Sequence, residues 1–388
     1  MELTTLRESI PALHDRVYLN TGTSGPSPQE AAEEQFALLR LLLQEGFAAP
    51  PAIKAYLTAL DRARKAVAAA IGAPPHTVAL QHSTSEGIGV IAAGLQWSAG
   101  DEVIISDLEH TSGVAPWLHL ARTRGVKIVN LKSEDGYIPP DAFARAITGR
   151  TRLICLSHVS YATGALLPVA DVCRLAEERG VWVVVDGAQG AGHIPMDVTA
   201  LECHAYALPG QKWLLGPEGT GGLYVREDVI DQIDPTRIGW ASLRHEDVSA
   251  LTYTLQDDAR RFETGTLHAP AFAALAKSIE ILSALGWERI FARATELAAA
   301  ARSSLQEVTG VRVLTPSHAA TGLLTFAADT ADLDGLVSRL WSQHRVIVRS
   351  IPAPRALRAS FHAFNNEEDV EALVRALERE LQRGGAGS

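Results

Sequence analysis

Residues 181–192, VWVVVDGAQGAG, and residues 205–222, AYALPGQKWLLGPEGTGG, decide the fold. The first opens as an unbroken apolar run and stops at Asp186 and a glycine-rich turn. A strand with one wet face alternates polar and apolar residues. One that does not alternate is covered on both faces, as in a parallel sheet flanked by helices. Strands are also predicted at Thr77–Leu80, Glu102–Ser106, Lys127–Asn130, Arg152–Ser157, Ala205–Leu208 and Gly222–Val225, with Val181–Asp186 in the series, and several of them are nearly continuous apolar runs. Between them, Asp141–Ile147 and Val169–Arg179 suit crossover helices. The alternation predicts an α/β fold with a mostly parallel central sheet.

Beyond His268 the pattern changes. Ala269 to Val308 has no proline after Pro270 and predicts two helices parted near Gly286. Apolar runs of β type follow at Val311–Leu314, Gly322–Phe326, Arg345–Val348 and Leu357–Phe361, with a helix over Asp332–Trp341. Val370, Leu373, Val374, Leu377 and Leu381 line one face of a last helix that Asn365 or Asn366 can cap. Gly384 to Ser388 is expected to fray. This order predicts a smaller C-terminal α+β domain. The expected boundaries are 18–267 for the large α/β domain, and 1–17 with 268–388 for the small one.

The chain has 388 residues, 47% hydrophobic and 21% charged, which suffices for a sizeable core and excludes a disordered protein. Asp plus Glu number 45 against 35 for Lys plus Arg, and a net charge of −10 argues against nucleic-acid binding. Cys155, Cys173 and Cys203 are too few and too scattered for a disulfide framework or a zinc site, and no metal is expected. Met1 to Arg16 lacks the apolar core of an export signal, and the longest uncharged stretch, Leu153 to Ala170, is broken by polar residues and Pro168. The expectation is a cytoplasmic enzyme with no membrane span.

The chemistry centres on Asp186 and Lys212. In an open α/β sheet, ligands bind beyond the carboxyl ends of the strands, where Asp186 stands. Lys212 lies between apolar strands and glycines, a setting that desolvates an amine and makes it nucleophilic. Pyridoxal phosphate requires this pair: a lysine to carry it, and an acid to keep its ring nitrogen protonated. Alone, Asp186 would pass for a turn cap and Lys212 for a surface lysine. A phosphate grip is expected at Gln81-His82-Ser83-Thr84-Ser85-Glu86-Gly87, where hydroxyls meet a helix start; Ser83 with Glu86 also reads as a capping box. A rival reading takes Gly87-Ile88-Gly89-Val90-Ile91-Ala92 as G-x-G-x-x-A with Asp107 twenty residues beyond Gly87, a dinucleotide (NAD) spacing. Its glycines fall inside the predicted helix, and it leaves Asp186 and Lys212 without a task.

These residues resemble the class V aminotransferase group of fold-type I pyridoxal-phosphate enzymes, which includes cysteine desulfurases, cystine and cysteine C-S lyases and isopenicillin N epimerase-like proteins. The resemblance runs from Val17-Tyr18-Leu19-Asn20 to the terminal helix. It implies the fold-type I transferase architecture, Lys212 as the Schiff-base lysine, Asp186 as the ring-nitrogen partner and Gln189 as a donor to the ring hydroxyl. His110 matches the histidine that stacks on the ring, and Thr84 and Ser85 the phosphate-binding positions. Thr266 resembles a residue that reaches the phosphate across the interface of a homodimer. Arg358, in Leu357-Arg358-Ala359-Ser360, resembles the clamp for an amino-acid α-carboxylate, a task suited to a guanidinium fork.

Departures narrow the reaction. The span Arg349 to Leu357 has no cysteine where desulfurases carry their nucleophile, and Cys155, Cys173 and Cys203 look like core fillers. Pro209, with neither hydroxyl nor N–H, stands where relatives have Ser or Thr. Gln211 stands where histidine is common and can still donate through its amide. Tyr161 replaces an Asn, and either contacts cofactor or substrate or packs at a strand end. After the α-proton is lost, β-elimination, transamination and epimerisation compete. The short cysteine-free segment resembles the C-S lyase branch, and Arg349 offers a second cation for the far carboxylate of cystine, unless it pairs with an acid of the small domain. The expected reaction is β-elimination from cysteine or cystine; the alternatives are an aminotransferase, an epimerase, or a pyridoxal-phosphate-binding module with little turnover.

Overall fold

The computed structural model describes residues 2–385. Among the described residues, seven strands form the large sheet: β1 (Val78–Gln81), β2 (Glu102–Ser106), β3 (Lys127–Leu131), β4 (Thr151–Ser157), β5 (Trp182–Asp186), β6 (Ala205–Pro209) and β7 (Gly221–Val225). Their spatial order is β1-β7-β6-β5-β4-β2-β3, and β7 runs against both its neighbours while the other pairs are parallel. The unbroken apolar runs follow from the two faces. Val183 and Val185 enter one core with Ile104, Ile154 and Leu208, while Val184 enters the other with Val103, Ile105 and Ala207. Between Trp182 and Asp186 no position is left for a polar side chain. The expected α/β class is the observed one.

The C-terminal part carries an antiparallel sheet of β8 (Val311–Val313), β9 (Leu323–Ala328), β10 (Arg349–Ile351) and β11 (Ala356–Ser360), in the order β8-β9-β11-β10. Helices Trp287–Gln306, Leu333–His344 and Glu367–Gly385 close over it, with Leu297, Phe326, Leu340, Leu357 and Leu377 in a core of its own. Asn366 caps the last helix, its Oδ1 accepting from Asp369 N at 3.0 Å. Of the tail expected to fray, residues 386–388 lie outside the described residues, and the helix runs through Gly385.

Two expectations need correction. Arg345–Val348 is not one strand: Arg345 takes a left-handed φ of 57° that ends helix Leu333–His344, Val346–Ile347 pairs with Val17–Tyr18, and β10 starts afresh at Arg349. Apolar periodicity does not register a helix stop of this kind. The dinucleotide reading also fails. Gly87 lies in helix Thr84–Gly94, where an added Cβ would come within 2.9 Å of the Ala207 Cβ, so this glycine lets the helix pack onto the sheet. Asp107 Oδ1 accepts from Ser133 N at 3.0 Å and is spent on holding the end of β3.

Helices Gln29–Glu45 and Pro50–Ala70, not anticipated from sequence, pack with Ala269–Leu285, whose Phe272, Leu275 and Ile279 reach the large-sheet core. That helix and the next are bent by 82° where Gly286 adopts φ +92°. Among the described residues no single helix is long and apolar enough to cross a membrane. Because β1, β2, β4, β5 and β6 point the same way, their carboxyl ends bring Thr84, Ser106, Ser157, Asp186 and Lys212 to one rim.

Candidate active site

Asp186 ends β5 with 2% of its surface exposed. Its Oδ1 accepts from Ala188 N at 2.9 Å, and its Oδ2 is buried with no hydrogen-bond partner. Burial raises its pKa, an effect that the nearby Lys212 partly offsets. An orphaned carboxylate oxygen of this kind costs free energy unless a ligand donor meets it. Lys212, in the loop between β6 and β7, has its pKa lowered to about 8, chiefly by desolvation, with Arg358 and Arg349 adding repulsion and Asp186 opposing.

His110 follows β2. Its Nδ1 lies 2.6 Å from Ser112 Oγ and accepts from Ser112 N at 3.3 Å, which leaves the ring proton on Nε2. Burial, aided by the positive charges of Lys212, Arg349 and Arg358, lowers its pKa to about 4, so the imidazole is neutral at pH 7. Its ring meets Tyr161 edge to face, 5.0 Å between centroids. Gln189 is held at both ends: Trp213 Nε1 donates to its Oε1 at 2.8 Å, and its Nε2 donates to Gly22 O at 2.7 Å. An indole only donates and a carbonyl only accepts, which fixes the amide orientation and leaves one N–H for a ligand.

Arg358, on β11, is fully buried, and Arg349 on β10 sits directly opposite it in the antiparallel register. Arg358 donates to Tyr161 O at 3.0 Å and Thr23 Oγ1 at 3.1 Å, while its Nε has no partner. Arg349 donates to the same Thr23 hydroxyl at 3.2 Å. Neither forms an ion pair among the described residues, so the salt bridge weighed for Arg349 is not there. Burial and Arg349 together lower the Arg358 pKa to about 9, which still leaves it charged at pH 7. Two cations beside a lysine, with no acid paired to either among the described residues, are chemically suited to receive carboxylates.

Thr84 opens helix Thr84–Gly94 with a buried hydroxyl that lacks a partner, and Ser85 beside it is exposed. Ser83 is the N-cap, accepting from Glu86 N at 3.2 Å. The expected capping box closes differently, because the Glu86 carboxylate reaches His82 N at 2.7 Å instead of the cap's own amide. The amides of Thr84 and Ser85 therefore have no backbone acceptor among the described residues. Gln211 Oε1 is also buried without a partner. Thr266 is exposed on the loop after Phe262. The orphaned Asp186 oxygen, the Thr84 hydroxyl and the desolvated amine fit a ring nitrogen, a phosphate and an aldehyde.

Sequence reading passed over the loop Asn20-Thr21-Gly22-Thr23-Ser24-Gly25. Thr23 receives both arginines and donates to Asn20 Oδ1 at 2.7 Å. Gly25 N donates to Gln211 O at 2.6 Å, and a Cβ on Gly25 would lie 2.3 Å from Lys212 O, so a glycine is required for this close approach. The run of small polar residues between two glycines was the available signal. Cys155, Cys173 and Cys203 are buried and free, and burial pushes the Cys203 thiol up to about 12 and the other two up as well. A thiol-reactive dye is expected to label none of them in the native protein within minutes, and all three after denaturation.

Residues 49–373 match the aminotransferase class-V family. A probable cysteine desulfurase of Methanothermobacter thermautotrophicus is 31% identical, over 97% of this chain and 98% of that one. The isopenicillin N epimerase of Streptomyces clavuligerus is 31% identical over 93% and 94%. The solved structure of the cystine C-S lyase C-DES with its reaction product cysteine persulfide superposes with a TM-score of 0.91 at 28% identity, over 95% of this chain and 99% of that one. A C-DES variant with glycine covalently linked to its pyridoxal-phosphate cofactor gives 0.92 at 28% identity, over 96% and 98%. Matched nearly end to end in sequence and in fold, the chain belongs to the aminotransferase class-V family.

Proposed function

We propose that this chain is a pyridoxal-phosphate-dependent C-S β-lyase acting on cystine or cysteine. The observation that carries the reading is the Arg349–Arg358 pair beside Lys212, with Arg358 buried, Arg349 half-buried and neither paired with an acid among the described residues. Such a pair suits a substrate with a carboxylate at each end. In this reading Lys212 would hold the cofactor, Asp186 Oδ2 would be the partner for its ring nitrogen, His110 would serve the ring and Gln189 would offer its free N–H to the ring hydroxyl. Thr84, Ser85 and the first-turn amides, with Gln211, would hold the phosphate. Thr266, exposed in the single chain, serves the second copy in a homodimer. When bound, pyridoxal phosphate supplies an electron sink for the carbanion left by loss of the α-proton.

The protein's own steps are binding and proton transfer. Arg358 takes the α-carboxylate and Arg349 the distal one, which places Cα near the Lys212 amine. That amine removes the α-proton. The Cβ–S bond then breaks, and the bonding pair leaves with sulfur as cysteine persulfide. Water hydrolyses the remaining three-carbon fragment to pyruvate and ammonia. None of the three buried thiols can accept sulfur, which supports release of a persulfide over transfer to a protein cysteine.

A product assay across amino acids tests the reading, scoring pyruvate, keto acid and enantiomer separately. Pyruvate with sulfane sulfur from cystine is expected. Inverted amino acid without pyruvate would replace the lyase by an epimerase, and yellow protein without turnover would leave only a binding module. Arg349→Ala is expected to lower kcat/KM for cystine roughly 10- to 100-fold, but for cysteine only a few-fold. Equal losses on both substrates would remove the two-carboxylate argument.

A further inference from the structure

Glu109 has no task in the chemistry above, yet only 7% of its surface is exposed, and it is suspended between the ends of two strands of the rim. Ser106, last in β2, donates to its Oε1 at 2.5 Å, and the hydroxyl of Ser157, last in β4, lies 2.6 Å from its Oε2. Ser106 Oγ also accepts from Leu108 N at 3.2 Å, so its own proton is committed to Glu109. No cation pairs with Glu109 among the described residues. Ser157 is the register partner of Asp186 on β5. A methyl group on Gly113 would sit 3.6 Å from Asp186 Oδ2 and 3.7 Å from Glu109 Oε2, so both carboxylates face one small space.

We propose that Glu109 is a positioning residue for the cofactor's ring proton: a second buried carboxylate, fixed by Ser106 and Ser157, whose charge makes the Asp186–ring nitrogen pair hold its proton more tightly at neutral pH. The inference rests on the reading that Asp186 meets the ring nitrogen. Burial pushes the Glu109 carboxyl up to about 7, with the charge of Asp186 adding to the effect. Besides Asp186, the titratable groups around it are Cys155 on β4, whose thiol is raised by burial and by Glu109, and His110 next in the chain. Lys212 is the cation that acts on Asp186.

The sign follows. Below pH 7 Glu109 is protonated and adds no charge; above it the carboxylate attracts the ring cation. Cofactor affinity of wild type relative to Glu109→Gln is therefore expected to rise from near one at pH 6 to about tenfold at pH 8, one pKa unit of coupling. The affinity is read by titrating ligand-free protein with pyridoxal phosphate, and the cofactor's own titrations cancel in the ratio. A ratio constant with pH marks a merely structural role and overturns the proposal. Should Glu109→Gln not fold, Ser157→Ala serves: without that hydroxyl to stabilise the charged carboxylate, the affinity step should move above pH 7, and an unmoved step is equally fatal. Asp186→Asn separates the two readings. Unchanged affinity in that variant sinks the assignment of Asp186 itself, whereas a collapse there beside a flat Glu109→Gln ratio sinks this inference alone. Ligand-free protein gives a cofactor-independent check. A carboxyl whose folded pKa is raised stabilises below about pH 4.5 and loses that contribution as pH climbs through 7; Glu109→Gln should flatten this fall in Tm.

Discussion

Lys212→Ala is expected to abolish turnover of every amino acid, by at least about 10⁴-fold, and to leave no cofactor fixed by borohydride. On the proposed reading, the size of the effect comes from removing two functions at once, the nucleophile that carries the aldehyde and the base that takes the α-proton. The amine is prepared for both by its surroundings. With its pKa lowered to about 8, on the order of one amine in ten is neutral at pH 7, against about one in 2,500 for an ordinary lysine. Desolvation contributes most, and Arg358 and Arg349 add to it. Attachment of pyridoxal phosphate to wild type should therefore speed up about tenfold per pH unit below 8 and level off above it. Residual activity above about 1%, or a borohydride-resistant link retained in the variant, would remove Lys212 from the centre of the site.

The sequence was legible where physics is local. A strand buried on both faces has to be apolar throughout, so Val181–Asp186 and its neighbours marked the parallel sheet, and Asp186 and Lys212 marked its rim. Arg358 came from its motif. What escaped depends on distant parts of the chain meeting. Thr23 binds Arg358 across 335 positions, and nothing near Thr23 announces that contact. The placement of Arg349 opposite Arg358 follows from a helix stop at Arg345 that divides an apolar run into strands of two sheets. Glu109 carries no signal of its own beside His110. Its burial against Ser157 is a matter of strand order, which local pattern does not specify. For Thr266 the proposed task would depend on a second copy, which local pattern cannot show.

Arg358→Met is expected to lower kcat/KM for cystine about 10³-fold, to leave the visible band of the bound cofactor intact, and to raise the Tm of the ligand-free protein. Both changes share one cause. The guanidinium is fully buried and, among the described residues, has only neutral acceptors, Tyr161 O and Thr23 Oγ1. A buried cation without a counter-charge is destabilising, as its pKa of about 9 reflects, and replacing it by an apolar side chain of similar length typically stabilises by about 1–4 kcal/mol. Part of that gain is offset because Tyr161 O gives up its donor, so a rise of a few degrees is the reasonable scale. Substrate reverses the balance. A carboxylate brings the missing charge and charge-assisted hydrogen bonds, including one for the idle Nε, and removing one partner of such a pair costs about 2–5 kcal/mol. An amine lacking the carboxylate, such as cysteamine, should bind wild type and Arg358→Met about equally. A variant that loses activity and stability together would mark Arg358 as a structural residue. One that keeps cystine turnover within about tenfold would place the α-carboxylate elsewhere. The combination of a more stable protein and a substrate it no longer holds is what a preorganised, uncompensated charge requires.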